Sequence, residues 1–194
     1  MVKGTRNLFG DEANVLYNMQ NKIETFVQRL AFKRFIPSLL AELELFKGKM
    51  DDNRMYEFQD RGGRELVLIP EVTAIVQREY RESWSKELPK PVCLFYTSKV
   101  FRYDKPQRGR FREFTQFGVE VLGDKNYNYV KLLKLCLEEV GLIEYELKEV
   151  KRGLDYYIDT GVEVWKDGLQ IAGGGPYEDG VGFAIGLERL LLVA

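Results

Sequence analysis

Between Arg110 and Val121 the sequence alternates with a period of two. Arg110, Arg112, Phe114, Gln116, Gly118 and Glu120 fall on one face of an extended chain, and Phe111, Glu113, Thr115, Phe117, Val119 and Val121 on the other. A helix would scatter these two sets around its circumference, so the segment is committed to a strand. Together with a strand over Val92–Tyr103 and an intervening loop rich in Pro, Gly and Arg, it predicts a hairpin centred on Val100–Gly123. One of its faces reads as core and the other as a site. Arg102, Arg108, Arg110 and Arg112 lie within eleven residues, and a guanidinium offers a rigid donor fork that suits phosphate oxygens. Further along the same face, Gln116 and Glu120 would receive a polar or cationic ligand. The competing reading is an edge hairpin with a solvated, charged face.

Composition narrows what such a site can do. The 194 residues include no histidine, which removes Cys/His zinc sites and every nucleophile system built on an imidazole base. Catalysis would have to rest on charge and positioning. Cys93 and Cys136 are too few for a disulfide framework and sit among apolar residues, which predicts reduced, buried thiols. A formal net charge of −1 argues against a broadly basic nucleic-acid-binding surface and leaves any such contact to local clusters. With 45% hydrophobic residues the chain can bury a real core, and its length predicts one domain over residues 1–194. No apolar run approaches the roughly 20 residues that span a bilayer, and MVKGTRNLFGDEAN carries no hydrophobic signal segment. We expect a soluble, cytoplasmic protein without membrane contact.

The remaining chain supplies helices and short strands. Val15, Leu16, Met19, Ile23, Phe26, Val27 and Leu30 recur at helical spacing and predict an amphipathic helix from Asp11 to about Phe32, with Asp11 as its cap. Pro37, inside FKRFIPSLLAELELF, predicts an extended edge or interface stretch followed by a short helix over Leu40–Phe46. Met55–Phe58 and Glu65–Ile69 predict strands about a turn whose Gly62 and Gly63 supply positive φ. Pro70 would open a helix with Glu71, Thr73 and Ala74 in its first turn, where the helix dipole alone favours the Glu71 carboxylate. Val130, Leu133, Leu137 and Val140 predict a helix stopped by Gly141. Strands are expected over Ile143–Val150, Tyr156–Trp165 and Leu169–Ala172. GVGFAIGLERLLLVA then reads as a glycine-rich strand running directly into an apolar helix. Arg189 falls in the first turns of that helix, where the dipole opposes a cation, so stability alone does not explain it. The sum is an α+β chain, mostly antiparallel strands with helices at its beginning, middle and end.

In this order the segments resemble the catalytic core of a class II aminoacyl-tRNA synthetase, most closely the histidyl-tRNA synthetase family. VKGTRNLFGDEA is similar to the family's opening segment. FIPSLLAELELF resembles motif 1, and YEFQDRGGRELVLIPEVTA resembles the stretch ending in Pro-Glu-x-Thr. FRYDKPQRGRFREFTQFGVEVLG resembles motif 2, RGLDYY a histidine-specific signature, AGGG-x-Y the next signature, and GFAIGLERLLL motif 3. The resemblance implies an antiparallel sheet flanked by helices, with ATP and Mg²⁺ as cofactors. It implies that Arg102 holds the α-phosphate of ATP, Arg110 reaches the outer phosphates, and Arg189 packs against the nucleotide and its γ-phosphate. Arg152 would act at the reacting α-phosphate, so that Arg102, Arg152 and Arg189 form the catalytic set. Asp104 and Phe114 would complete the nucleotide site, while Glu71, Thr73, Gln116, Glu120, Tyr157 and Tyr177 would surround the amino acid. The resemblance names no protein ligand for the metal. Motif 1 implies a homodimer through the Pro37 segment.

The sequence also departs from the family pattern. Ile69 stands where an arginine is usual, Thr115 where a histidine is usual, Asp104 for a glutamate, and Pro176 for the arginine of a GGRYD-like signature. After RGLDYY the chain reads IDTGVEVW, which brings Ile158 and Asp159 near the amino-acid pocket. No anticodon-binding domain follows motif 3, so tRNA charging would be handicapped. Two functions follow from the resemblance. One is a core that binds an amino acid, histidine, and forms an aminoacyl-adenylate. The other is a non-charging paralogue such as the histidine-sensing regulatory subunit of ATP phosphoribosyltransferase, whose partner would be the catalytic subunit of that enzyme.

Overall fold

The computed structural model describes residues 1–151 and 157–193. Helix α1 (Asp11–Arg29) starts after Gly10, whose φ of 63° turns the chain into it without a side-chain cap. Asp11 is therefore the first helical residue and not the cap, and with Glu12 it places negative charge where the helix dipole favours it. Met19, Ile23 and Val27 are buried at the i, i+4 spacing of one helix face. Strands β1 (Lys33–Arg34) and β2 (Leu40–Glu42) flank Pro37. In place of the short helix expected over Leu40–Phe46, β2 pairs with a later strand and only Leu43–Leu45 makes a 3₁₀ turn. Strands β3 (Tyr56–Gln59) and β4 (Glu65–Leu68) form the expected hairpin. Of its two glycines only Gly63 uses positive φ, at 78°. The Asp60 carboxylate closes the turn by accepting from the Gly62 and Arg64 amides.

Helix α2 (Thr73–Glu79) begins three residues later than Pro70 suggested. The Glu71 side chain accepts from the Ala74 amide at 2.9 Å and so satisfies one of the helix's orphan donors. The helix continues through a π-helical turn (Tyr80–Trp84) into α3 (Ser85–Glu87). Strands β5 (Val92–Phe101) and β6 (Glu113–Leu122) pair antiparallel over their whole length. Helix α4 (Tyr129–Glu139) is capped by the Asn128 side chain and stopped by Gly141 at a φ of 81°. Strands β7 (Glu146–Lys151), β8 (Thr160–Lys166), β9 (Leu169–Tyr177) and β10 (Gly180–Gly186) follow, and β10 runs directly into α5 (Leu187–Leu191).

The large sheet has the order β1-β5-β6-β10-β9-β8-β7, antiparallel except for the β1–β5 pair, and a second sheet has the order β2-β4-β3. One face of the large sheet is covered by α1, α4 and α5, with Ile23, Val27, Leu133, Leu137 and Leu187 meeting Phe117, Val119 and Phe183. The other face is covered by the small sheet and α2, with Val67, Ile69 and Val76 meeting Leu94, Tyr96 and Val100. Each fully buried aliphatic side chain in these layers contributes roughly 1.5–3 kcal/mol. The architecture is α+β, as expected. Both cysteines are free, although Cys93 is only half-buried where full burial was expected. Among the described residues no helix is long and apolar enough to cross a membrane.

Candidate active site

Because Phe117, Val119 and Val121 point into the helix-side core, the pleat of β6 turns Phe114, Gln116 and Glu120 to the opposite face. Near the start of β6 that face opens into a cavity of about 740 Å³, whose wall includes Arg102, Asp104, Arg110, Phe114, Gln116 and Arg189. Of the four hairpin arginines, only Arg102 and Arg110 reach it. Arg112 lies against the Tyr103 ring at 4.0 Å, and Arg108 is exposed and bonds the Asp167 carbonyl. The period-two pattern therefore does not extend back to Arg110. Strand pairing with β5 begins at Glu113, and Arg110 sits in the preceding loop.

Two of the cavity arginines are aimed by backbone carbonyls. Arg102 donates from Nε to the Pro70 carbonyl at 2.8 Å, with its guanidinium 5.3 Å from the centre of the Phe114 ring. Arg189 donates from Nε to the Gly109 carbonyl at 2.6 Å and from Nη1 to the Gln170 carbonyl at 2.7 Å. Neutral carbonyls orient a guanidinium without cancelling its charge. Burial lowers the pKa of Arg189, and the charges of Arg102 and Arg110 lower it further, against the opposing charges of Asp104 and Glu163. Asp104, also on the wall, accepts from Arg54 Nε at 2.7 Å and Nη2 at 2.9 Å. Burial alone would raise its pKa. The Arg54 hydrogen bonds and charge, then the charges of Arg102 and Arg110, outweigh burial and hold it below the usual carboxylate value.

The residues expected around the amino acid divide into two groups. Gln116 stands in the arginine cavity, and its buried Oε1 has no hydrogen-bond partner among the described residues. Glu120, four residues further along β6, is buried. Its Oε1 accepts from Thr73 Oγ1 at 2.6 Å and its Oε2 from the Tyr177 hydroxyl at 2.7 Å. Burial pushes the Glu120 carboxyl up to about 8, against the lowering effect of those two bonds and with a further push from the Glu71 charge. Tyr157 pairs with Tyr177 through a backbone bridge and packs against the same core. Between the two groups lies Gly118, where the fully buried Tyr96 ring occupies the space a Cβ would need. Arg152 lies outside the described residues.

Comparison with known proteins places the chain in a family. A sequence profile described as histidyl-tRNA synthetase matches residues 4–151. The chain belongs to the histidyl-tRNA synthetase family. A histidine–tRNA ligase of Methanoregula boonei is 40% identical over 152 residues, covering 75% of this chain and 37% of that protein. One from Sulfurisphaera tokodaii is 36% identical over 141 residues, covering 71% and 33%. The chain thus spans about a third of the length of these curated relatives of the histidyl-tRNA synthetase family. Among solved structures, apo histidyl-tRNA synthetase from S. aureus superposes with a TM-score of 0.79 at 21% identity, over 100% of this chain and 73% of that one. An ATP phosphoribosyltransferase regulatory subunit/histidyl-tRNA synthetase from Bacillus halodurans gives 0.85 at 15% identity, over 98% and 81%. At these identities the structural likeness speaks for the fold, which is that of class II aminoacyl-tRNA synthetases.

Three residues that shape the site were not singled out from the sequence. Arg54, which holds Asp104, lies in a short 3₁₀ turn with no periodic signal. Tyr96 reads as one more aromatic residue in an apolar strand. Glu188 is buried and accepts from the Thr115 amide and hydroxyl. Its adjacency to Arg189 was the available signal, since a carboxylate beside apolar helix residues calls for a partner.

Proposed function

We propose that this chain binds ATP and histidine and joins them as an aminoacyl-adenylate with release of pyrophosphate. The observation that carries this reading is the convergence of Arg102, Arg110 and Arg189 on one cavity, two of them fixed by backbone carbonyls. Attack of an amino-acid carboxylate on an α-phosphate needs charge neutralised and groups aligned, and needs little proton transfer. A site rich in arginine and without histidine meets that need. Arg102 would take the α-phosphate, Arg110 the outer phosphates and Arg189 the nucleotide face, with Arg152 as the fourth cation. Phe114 and Asp104 would border the nucleotide. Gln116 Oε1, a buried acceptor, suits an ammonium group, while Glu71, Thr73, Glu120, Tyr157 and Tyr177 would enclose the amino-acid side chain.

Among the described residues no three carboxylate or cysteine groups gather as a metal cage. Mg²⁺ would therefore be held mainly by the nucleotide phosphates, with Glu163 on the cavity wall as a supporting carboxylate. When bound, it would neutralise phosphate charge as the pyrophosphate departs. Transfer of the aminoacyl group to tRNA is a further part of the proposal.

A second reading, a histidine-binding regulatory paralogue acting with an ATP phosphoribosyltransferase catalytic subunit, is favoured by the Bacillus halodurans likeness. ATP–pyrophosphate exchange separates the two. Exchange that depends on histidine and falls about 10²-fold or more in Arg102→Ala or Arg189→Ala supports the first reading. Histidine binding by calorimetry without exchange for any amino acid supports the second, and exchange untouched by both substitutions overturns the assignment of the arginines.

A further inference from the structure

Where β10 leaves the large sheet, a side chain takes over the hydrogen bonding of the strand. The β10–β6 ladder ends at the pair Gly186–Gln116, and the next residue of β6, Thr115, has no β10 residue opposite it. Glu188, in the first turn of α5, fills that place. Its Oε2 accepts from the Thr115 amide at 2.7 Å, its Oε1 from Thr115 Oγ1 at 2.8 Å, and Lys99 Nζ lies 3.4 Å from Oε1. Glu188 borders the cavity, yet both of its oxygens are engaged by β6 and β5. A carboxylate at 3% exposure is costly unless its acceptors are satisfied, and here two donors from one residue satisfy it with two-point geometry.

The consequence falls on its chain neighbour. Helix α5 is five residues long, too short to hold its own orientation by internal hydrogen bonds. Arg189 follows Glu188 directly and must reach two carbonyls from different parts of the chain, Gly109 and Gln170. We infer that Glu188 is a positioning residue: by clamping the first turn of α5 to Thr115 it fixes the direction in which Arg189 enters the nucleotide cavity. Thr115 serves this clamp through both its amide and its hydroxyl. The inference rests on the nucleotide-binding reading above.

Glutamine tests whether the clamp works through geometry or through charge. Its Oε1 accepts from the Thr115 amide and its Nε2 donates to the Thr115 hydroxyl, so Glu188→Gln keeps both contacts without the charge. Calorimetric ATP and histidine affinities are measured on the whole chain. We expect Glu188→Gln to stay within about threefold of wild type for ATP, whereas Glu188→Ala loses about tenfold or more, on the scale of a charge-assisted hydrogen bond. Histidine affinity should stay within about twofold in both, a split that general loosening would not produce.

Thr115→Val, which keeps the amide and removes only the hydroxyl, covers the case in which Glu188→Ala fails to fold. It should weaken ATP binding severalfold, and more so when combined with Glu188→Gln, whose amide would then lack an acceptor. A folded Glu188→Ala that binds ATP like wild type, or ATP and histidine affinities that fall in parallel, would overturn the inference. If the wild-type chain binds no ATP, the proposed function fails by itself. Amide exchange at Thr115 then decides the clamp: it should be slow in wild type, Glu188→Gln and Thr115→Val, whose amides keep an acceptor on residue 188, and fast in Glu188→Ala, and equal protection in Glu188→Ala and wild type refutes it.

Discussion

Glu120 is a carboxyl group at 1% exposure with two hydroxyl donors and no cationic partner among its hydrogen bonds. Burial outweighs those donors and raises its pKa from 4.5 to about 8. In the window between those values the native chain keeps a proton that the unfolded chain releases. Stability from this group is complete below about pH 4.5, falls as pH rises toward 8 and is flat beyond it. A single proton changes stability by at most about 1.4 kcal/mol per pH unit. Glu120→Gln imitates the protonated group and removes the slope, so its stability relative to wild type should increase from pH 5 to pH 8.5 in denaturant titrations. A difference between the two proteins that stays constant across that range would show that Glu120 is ionised throughout.

Strands β6 and β10 make room for this buried group and for its neighbour Tyr96 through glycines. A Cβ on Gly182 of β10 would collide with the Glu120 carboxylate, and one on Gly118 would collide with the Tyr96 ring. Neither contact is with a flexible surface chain that can yield. Gly182→Ala should cost about 1–3 kcal/mol, as overpacking does, and should also weaken histidine binding, because Glu120 must move. Unchanged denaturation midpoint and histidine affinity would place Glu120 outside the proposed amino-acid pocket.

The glycine-rich strand running into α5 was legible in the sequence because its period and its abrupt change to an apolar helix are both local signals. The buried face of β6 was legible for the same reason. The start of α2 was not, because Pro70 is compatible with a first helical turn, and the irregular path through Glu71 is set by contacts distant in sequence, such as Arg102 on the Pro70 carbonyl. Likewise, LLAELELF has helical composition, but β4 offers Leu40–Glu42 a strand partner and overrides it. The site was legible as a set of charges. Its division into an arginine cavity and a buried acidic group separated by Tyr96 depends on packing that no spacing rule encodes.

At the scale of the whole molecule, the two layers on the large sheet bury most of the apolar residues, which makes the exceptions informative. Around buried Pro37, Ile36 is 79% exposed, Leu39 41% and Leu40 48%. They belong to the segment resembling motif 1, and β2, which contains Leu40, is an edge strand of the small sheet. An apolar cluster on an unpaired edge invites association, and we propose that a second copy of the chain covers it. That segment leads through β4 to Pro70, whose carbonyl orients Arg102, so the dimer would brace the arginine cavity as well as bury apolar surface. Sedimentation at micromolar concentration should show a dimer for the wild-type chain. Ile36→Glu combined with Leu40→Glu should give a folded monomer, because two carboxylates would have to be desolvated in each copy. Its far-ultraviolet circular dichroism should match wild type, since both side chains are already exposed. Exchange activity in that monomer should fall more than its stability does. A wild-type monomer would overturn the dimer, and a doubly substituted chain that still sediments as a dimer would move the interface away from the Pro37 segment.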